Sequence, residues 1–168
     1  MTHDQRGVAL LESLVSMVVL AIGLLGMAAL LTYSMKSMGK AQYAAQATYA
    51  AQMITSAIFA QDATQNANSL AGLNALNGVT TVNYATNTAG NSNVNPVLVD
   101  ALEEWSTYTL ANLPAGMGSL SVTTLPTGPS GSTSVPCTAL PCQVTVIMSW
   151  NGADHVPQSY QTSLIMGY

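Results

Sequence analysis

Charge is what this chain of 168 residues has least of. Only 6% of its residues are charged, against roughly a quarter in an average soluble protein. Lys and Arg total three, at Arg6, Lys36 and Lys40, and neither type occurs after Lys40. Nucleic acids are held by such side chains against phosphate, so this scarcity argues against a nucleic-acid role for the C-terminal part. Imidazole is equally scarce, with His3 in a short polar head and His155 far downstream. Asp154 is the sequence neighbour of His155, and adjacent loop residues usually point apart, so His155 reads as a solvated loop residue. The chain has no nucleophile motif and no phosphate-binding glycine loop. Neither an enzyme nor a metal or other cofactor is expected. Asp100, Glu103 and Glu104 form a small acidic patch whose spacing does not suit calcium, so it reads as solvated surface.

Two further absences concern the backbone. There is no Pro before Pro96 and no Gly between Gly39 and Gly72. Nothing therefore interrupts a helical pattern over the first third of the chain. From Ser13 to Met35 there is no charged residue, and apolar density is highest from Val8 to Leu31. At about 1.5 Å per residue, that run spans roughly 36 Å, enough for a bilayer core. The pattern continues as a stripe, Ala44, Ala47, Ala51, Ile54 and Ile58, at spacings of 3, 4, 3 and 4. The periodicity predicts one helix from about Val8 to about Phe59, apolar all round in its first half and amphipathic in its second.

What is abundant comes next. Nine Asn fall between Asn66 and Asn95, and residues 62–95 read as a long loop with VTTVNY, Val79–Tyr84, as one short strand-like piece. Asn95-Pro96 is a helix start, with Asn as N-cap and Pro at the first helical position. Leu98, Leu102, Trp105 and Tyr108 follow at helical spacing, giving a helix over about 96–112 that LPAG, Leu113–Gly116, ends. The period then becomes two. Leu120, Val122 and Thr124 share a face, as do Val144, Val146, Met148 and Trp150, and Tyr160, Thr162, Leu164 and Met166. NGADHVPQ is a hairpin loop between the last two strands. The expected fold class is α+β, with a long N-terminal helix and one additional helix packed on a small C-terminal antiparallel sheet.

The cysteines, Cys137 and Cys142, sit in CTALPC. Outside a cytosolic setting such a pair reads as a disulfide. Two reduced thiols or a metal pair are the alternatives, although four intervening residues do not suit a metal site. A cross-link this local would contribute about 2 kcal/mol on the chain-entropy model, enough to pin a loop.

The N-terminus supplies the most specific pattern. An ordinary secretory signal ends in a small-residue cleavage site after its apolar run, and a cut at Met27-Ala28-Ala29 would split a helix. MTHDQRG followed by VALLE instead resembles the type IV pilin family: a short polar leader ending in Gly, an apolar residue, then a nearly all-apolar helix with Glu at its fifth position. The family usually reads GFTLIE where this chain reads GVALLE, so Val8, Ala9 and Leu11 depart from Phe, Thr and Ile. The run SLVSMVVLAIGLLGMAAL, Trp105 with LPAG, and VTVIMSW look like PilV-type minor pilins.

The resemblance implies a type IV pilin-like fold with a spine helix. It implies a leader at residues 1–7, a transmembrane half at 8–32, an amphipathic half at 33–61 and a globular periplasmic head at 62–168. It implies that a prepilin peptidase cuts between Gly7 and Val8 and methylates the new amine of Val8, and that Glu12 pairs with the first-residue amine of a neighbouring subunit. The expected location is the inner membrane as a single-pass protein, with the head in the oxidising periplasm, and then the pilus and cell surface. The implied partners are other minor pilins, the major pilin, the assembly platform and membrane lipid. The implied role is pilus assembly or initiation, supporting adhesion or twitching motility. A minor pseudopilin of type II secretion and a membrane-anchored periplasmic binding module are the alternatives. Arg6 on one side of the span and Lys36 and Lys40 on the other do not decide orientation by the positive-inside rule. The two lysines, four apart, suit phosphate headgroups.

Overall fold

The computed structural model describes residues 4–64, 69–88, 94–125, 137, 141–152 and 154–166. The first element is a single helix, α1, Asp4–Thr64. It starts earlier and ends later than the apolar pattern requires, because the leader contains no Pro, Gly7 does not interrupt the helix and the second half ends without Gly or Pro. Gly23 and Gly26 lie inside it without interrupting the helix. The chain forms two compact units, Met1–Lys40 and Ala41–Tyr168.

In the first unit every side chain from Val8 to Met38 is exposed. This stretch is long and apolar enough to cross a membrane. Its few hydroxyls bond to their own helix: Ser13 Oγ donates to the Leu10 carbonyl at 2.9 Å and Ser16 Oγ to that of Glu12 at 2.8 Å. Thr32 Oγ1 donates to the carbonyl of Ala29 at 2.8 Å. Such back-bonding removes the cost of taking a hydroxyl out of water.

The second unit holds the core. There α1 buries Ala47, Ala50, Ala51, Ile54 and Ile58. Ala44, which belongs to the same stripe in sequence, is exposed. Ala44 lies at the edge of the buried face: Tyr43 beside it packs against the core, and Ala50 completes that face on the other side. Small Ala side chains let other elements approach the helix axis closely. The core also takes Leu98, Leu102 and Trp105 from α4, Pro96–Asn112. That helix is capped as its sequence requires, with Asn95 Oδ1 accepting from the Val97 amide at 3.0 Å and Pro in the first turn. It ends through Leu113, and Ala115 adopts a left-handed φ of 50° before Gly116.

Three strands form one antiparallel sheet in the order β1-β2-β3: β1, Met117–Thr124; β2, Cys142–Asn151; β3, Pro157–Met166. Register places Leu120 opposite Val146, Val122 opposite Val144 and Val144 opposite Leu164, so the period-two faces coincide. Along β2, Cys142, Val144, Val146, Met148 and Trp150 are all buried. On β3 only Leu164 and Met166 are buried, while Tyr160 and Thr162 on the same face are half-buried. Gly118 is required by packing, since a Cβ there would occupy the ring of Trp105.

Within the stretch expected to be a loop, the structure contains two short helices, α2, Ser69–Ala75, and α3, Tyr84–Thr88. The expected strand at Val79–Tyr84 shrinks to one bridge, Thr80 to Ser119, on the outer edge of β1. Leu120 donates to the Val79 carbonyl at 2.8 Å and Gly78, at φ 77°, donates to that of Leu120 at 3.0 Å. The strand goes no further because Asn83 folds back, its Oδ1 accepting from the Thr80 amide at 2.6 Å. Side-chain turns of this kind compete with sheet pairing. The same segment is fastened to α4 and β1: Ser106 Oγ donates to the Thr81 carbonyl at 2.6 Å, and the Gly118 amide donates to Thr81 Oγ1 at 3.2 Å.

Candidate processing and assembly site

Gly7, Val8 and Glu12 lie in the first turns of α1. Met1–His3 are outside the described residues. Val8 and Glu12 are four apart, hence one turn apart on one face. Both are exposed, in a stretch where the surrounding side chains are aliphatic. Glu12 is the one acidic or basic residue between Val8 and Met35. The backbone carbonyl of Glu12 is engaged by Ser16, but a carboxylate has no such local remedy, since helix amides are already committed to the ladder. An amine freed at Val8 would be cationic at neutral pH, its reference pKa being about 8. The arrangement therefore offers one anion and, after cleavage, one cation at the tip of an apolar helix.

The remaining sequence-predicted residues lie elsewhere. Cys137 and Cys142 form a disulfide with Cα atoms 5.9 Å apart. Both are buried at the end of β2, where Cys142 faces Thr124 and Met166 in register. Asn74 Nδ2 donates to the Cys137 carbonyl at 2.7 Å, tying the bridge to α2. The disulfide thus anchors the connection before β2 to the core, rather than only closing a surface loop. His155 is exposed in the β2–β3 hairpin at φ 58°, with its amide donating to the Gly152 carbonyl at 2.9 Å. Among the described residues no group of three metal-ligating side chains converges. Asp100, Glu103 and Glu104 stand exposed on α4. Sequence reasoning missed the pair Tyr49 and Tyr108, whose rings pack 5.1 Å apart at 55° between α1 and α4; Tyr108 is flagged by helical spacing, but nothing in Tyr49 announces a partner so distant in sequence.

Comparison with known proteins bears on the N-terminus alone. No curated protein and no solved structure matches the chain significantly. Residues 2–28 match the family model of the prokaryotic N-terminal methylation motif. That segment contains the leader junction, Val8, Glu12 and most of the apolar run, and together with the α+β architecture it supports a type IV pilin-like family.

Proposed function

We propose that the chain is a minor pilin: a non-enzymatic subunit that takes part in assembling a type IV pilus. The observation carrying this reading is the methylation motif at residues 2–28, placed on a helix that continues, without a break, into residues buried in a folded head. A cleaved secretory signal would have no reason to be built as the first part of a core helix.

In this reading a prepilin peptidase cuts between Gly7 and Val8 and methylates the Val8 amine. The apolar helix stays on the product. It holds the subunit in the inner membrane with the head in the periplasm, where the Cys137–Cys142 bridge is stable. Leaving the bilayer then requires other apolar helices to cover Val8–Met38, which the spines of neighbouring subunits supply. Glu12 selects the axial position. An uncompensated carboxylate in an apolar span costs about 2.5–3.5 kcal/mol, and the methylated amine of a neighbour removes that cost at one register only. Such pairs specify geometry more than they add stability.

The N-terminal mass of the mature chain tests this directly. The expected species begins at Val8 and carries one methyl group; a chain that keeps Met1 overturns the reading. The second measurement is Glu12→Ala. It should give a processed membrane protein whose amount in sheared surface filaments falls about tenfold or more, a loss of at least about 1.4 kcal/mol of register preference. Incorporation at the normal level would remove Glu12 from this role.

A further inference from the structure

Five Asp and Glu residues and neither Lys nor Arg follow Lys40. A membrane surface bearing anionic lipid therefore repels that part of the chain. Lys36 and Lys40 are the only Lys or Arg residues after the apolar run, and they stand at one place. Tyr33, Lys36, Ser37 and Lys40 follow one another at intervals of 3, 1 and 3, so they share one side of α1, within about 100° of its circumference. All four are exposed and together they line a recess of about 220 Å³. Pockets that hold a whole small molecule are about 300–1,000 Å³, so this recess suits one polar group of a larger ligand. Its walls offer two ammonium groups, each with three donors, and two hydroxyls. The ammonium groups stem from Cβ atoms about 5–6 Å apart. Two cations at that interval, with hydroxyl donors beside them, match the oxygens of a phosphodiester.

Position along the helix makes the phosphate a lipid's. The apolar run ends at Leu31. Headgroups add about 5–8 Å on each side of a hydrocarbon core of about 30 Å. At about 1.5 Å per residue, Lys36 lies roughly 7.5 Å beyond Leu31, at headgroup depth, and Lys40 roughly 13.5 Å beyond it, from where a lysine stem can turn back. Tyr33 falls between Leu31 and Lys36, where amphipathic rings collect in membrane proteins. We propose that Tyr33, Lys36, Ser37 and Lys40 bind the phosphate of an anionic phospholipid and thereby set the depth of α1 in the bilayer. A zwitterionic lipid brings its own ammonium with the phosphate and repels the lysines, which gives the site its selectivity. With three donors on each ammonium, contacts made by either lysine within its own chain are compatible with this binding. A subunit that leaves the bilayer has to give the lipid up. The inference rests on the membrane reading of the apolar run proposed above.

The test uses the full chain in vesicles of equal phosphatidylcholine and phosphatidylglycerol. Resistance to alkaline carbonate is measured first, and a chain that carbonate extracts overturns the membrane reading and this site with it. For the inserted chain, release in mild detergent and native mass spectrometry should find phosphatidylglycerol retained at least about tenfold over phosphatidylcholine, since each lysine strengthens binding to an anionic surface about fivefold. Lys36→Gln with Lys40→Gln should bring that ratio near unity and leave carbonate resistance unchanged. Lys36→Arg with Lys40→Arg should keep it. A nitroxide attached through Met35→Cys, on the side of α1 away from the recess, should change depth in the Gln variant when phosphatidylglycerol is present and not in phosphatidylcholine alone. Equal retention of the two lipids overturns the proposal, as does a Gln variant with the native ratio. So does displacement of the lipid by millimolar inorganic phosphate, which would make the recess a site for a soluble anion. The mass at Val8, which decides processing, does not enter this readout.

Discussion

Between Val8 and Met38 every side chain of α1 is exposed, and Leu, Val, Ile and Met supply most of the large ones; between Ala47 and Ile58 the same helix buries one stripe and leaves Gln52 and Ser56 in solvent. The backbone conformation is identical in the two stretches. What differs is the medium each is built to meet. Large aliphatic side chains all round suit a surrounding that is itself apolar, lipid or other helices, because no face has to be reserved for water. Ala on a single face suits close approach by a sheet and a second helix, with water on the other side. Helix formation therefore says little about this chain; the width of the apolar surface separates the part that packs into a head from the part long and apolar enough to cross a membrane.

The comparison is broken most severely from the head side. Trp105 is fully buried and its ring fills the space that a side chain on Gly118 would need. Trp105→Ala should cost about 3–5 kcal/mol, measured as a fall in the unfolding midpoint of the full chain in detergent, with membrane retention unchanged. Gly118→Ala should also be destabilising, and less so when Trp105 is replaced by Leu, since the two share one volume. Additive effects would mean that the ring can move aside. The converse experiment is Leu20→Asp. A second carboxylate near the middle of the apolar run should cost about 2.5–3.5 kcal/mol of membrane insertion and leave the unfolding midpoint of the head where it was. Equal damage to both properties would erase the distinction between the two stretches.

How far the sequence reaches follows the range of the interactions involved. The strands are legible because alternation at Val144, Val146, Met148 and Trp150 needs only nearest neighbours on one sheet face. The start of α4 is legible because the Asn95 cap is a local bond. The two short helices are not. Ser69–Ala75 and Tyr84–Thr88 are too short to show a period, and they exist because Leu73, Leu76 and Val79 are buried and because Asn83 closes a turn against Thr80. The strand propensity of VTTVNY loses to that turn. At the candidate site, the spacing of Gly7, Val8 and Glu12 could be read because it lies within one helix. The membership of Cys137 and Cys142 in the core could not, since it depends on α2 and on the strands on either side of β2.

A finer break lies within the alanine stripe. Ala44 and Ala51 are two turns apart on the same face, yet Ala44 is exposed and Ala51 is fully buried. Ala51→Leu forces three extra carbons into a packed region and should cost about 1–3 kcal/mol. Ala44→Leu should change stability by less than about 0.5 kcal/mol. The pair of variants locates the edge of the buried face, and a large cost at Ala44 would place that edge further round the helix, beyond the side on which Tyr43 packs.

The smallest expected effect concerns the helix that lies beside the stripe. Asn95 holds the Val97 amide at 3.0 Å through its side chain, and α4 has no acid in its first turn to compensate its N-terminal dipole. Asn95→Ala should therefore cost about 1 kcal/mol, while Asn95→Asp should retain the cap and add a favourable charge at the positive end of the helix. Urea unfolding of the full chain in detergent distinguishes them by midpoint. If Ala and Asp are equivalent, α4 is held by its buried face, Leu98, Leu102 and Trp105, and by the Ser106 and Tyr108 contacts, and the cap at its N-terminus contributes nothing measurable.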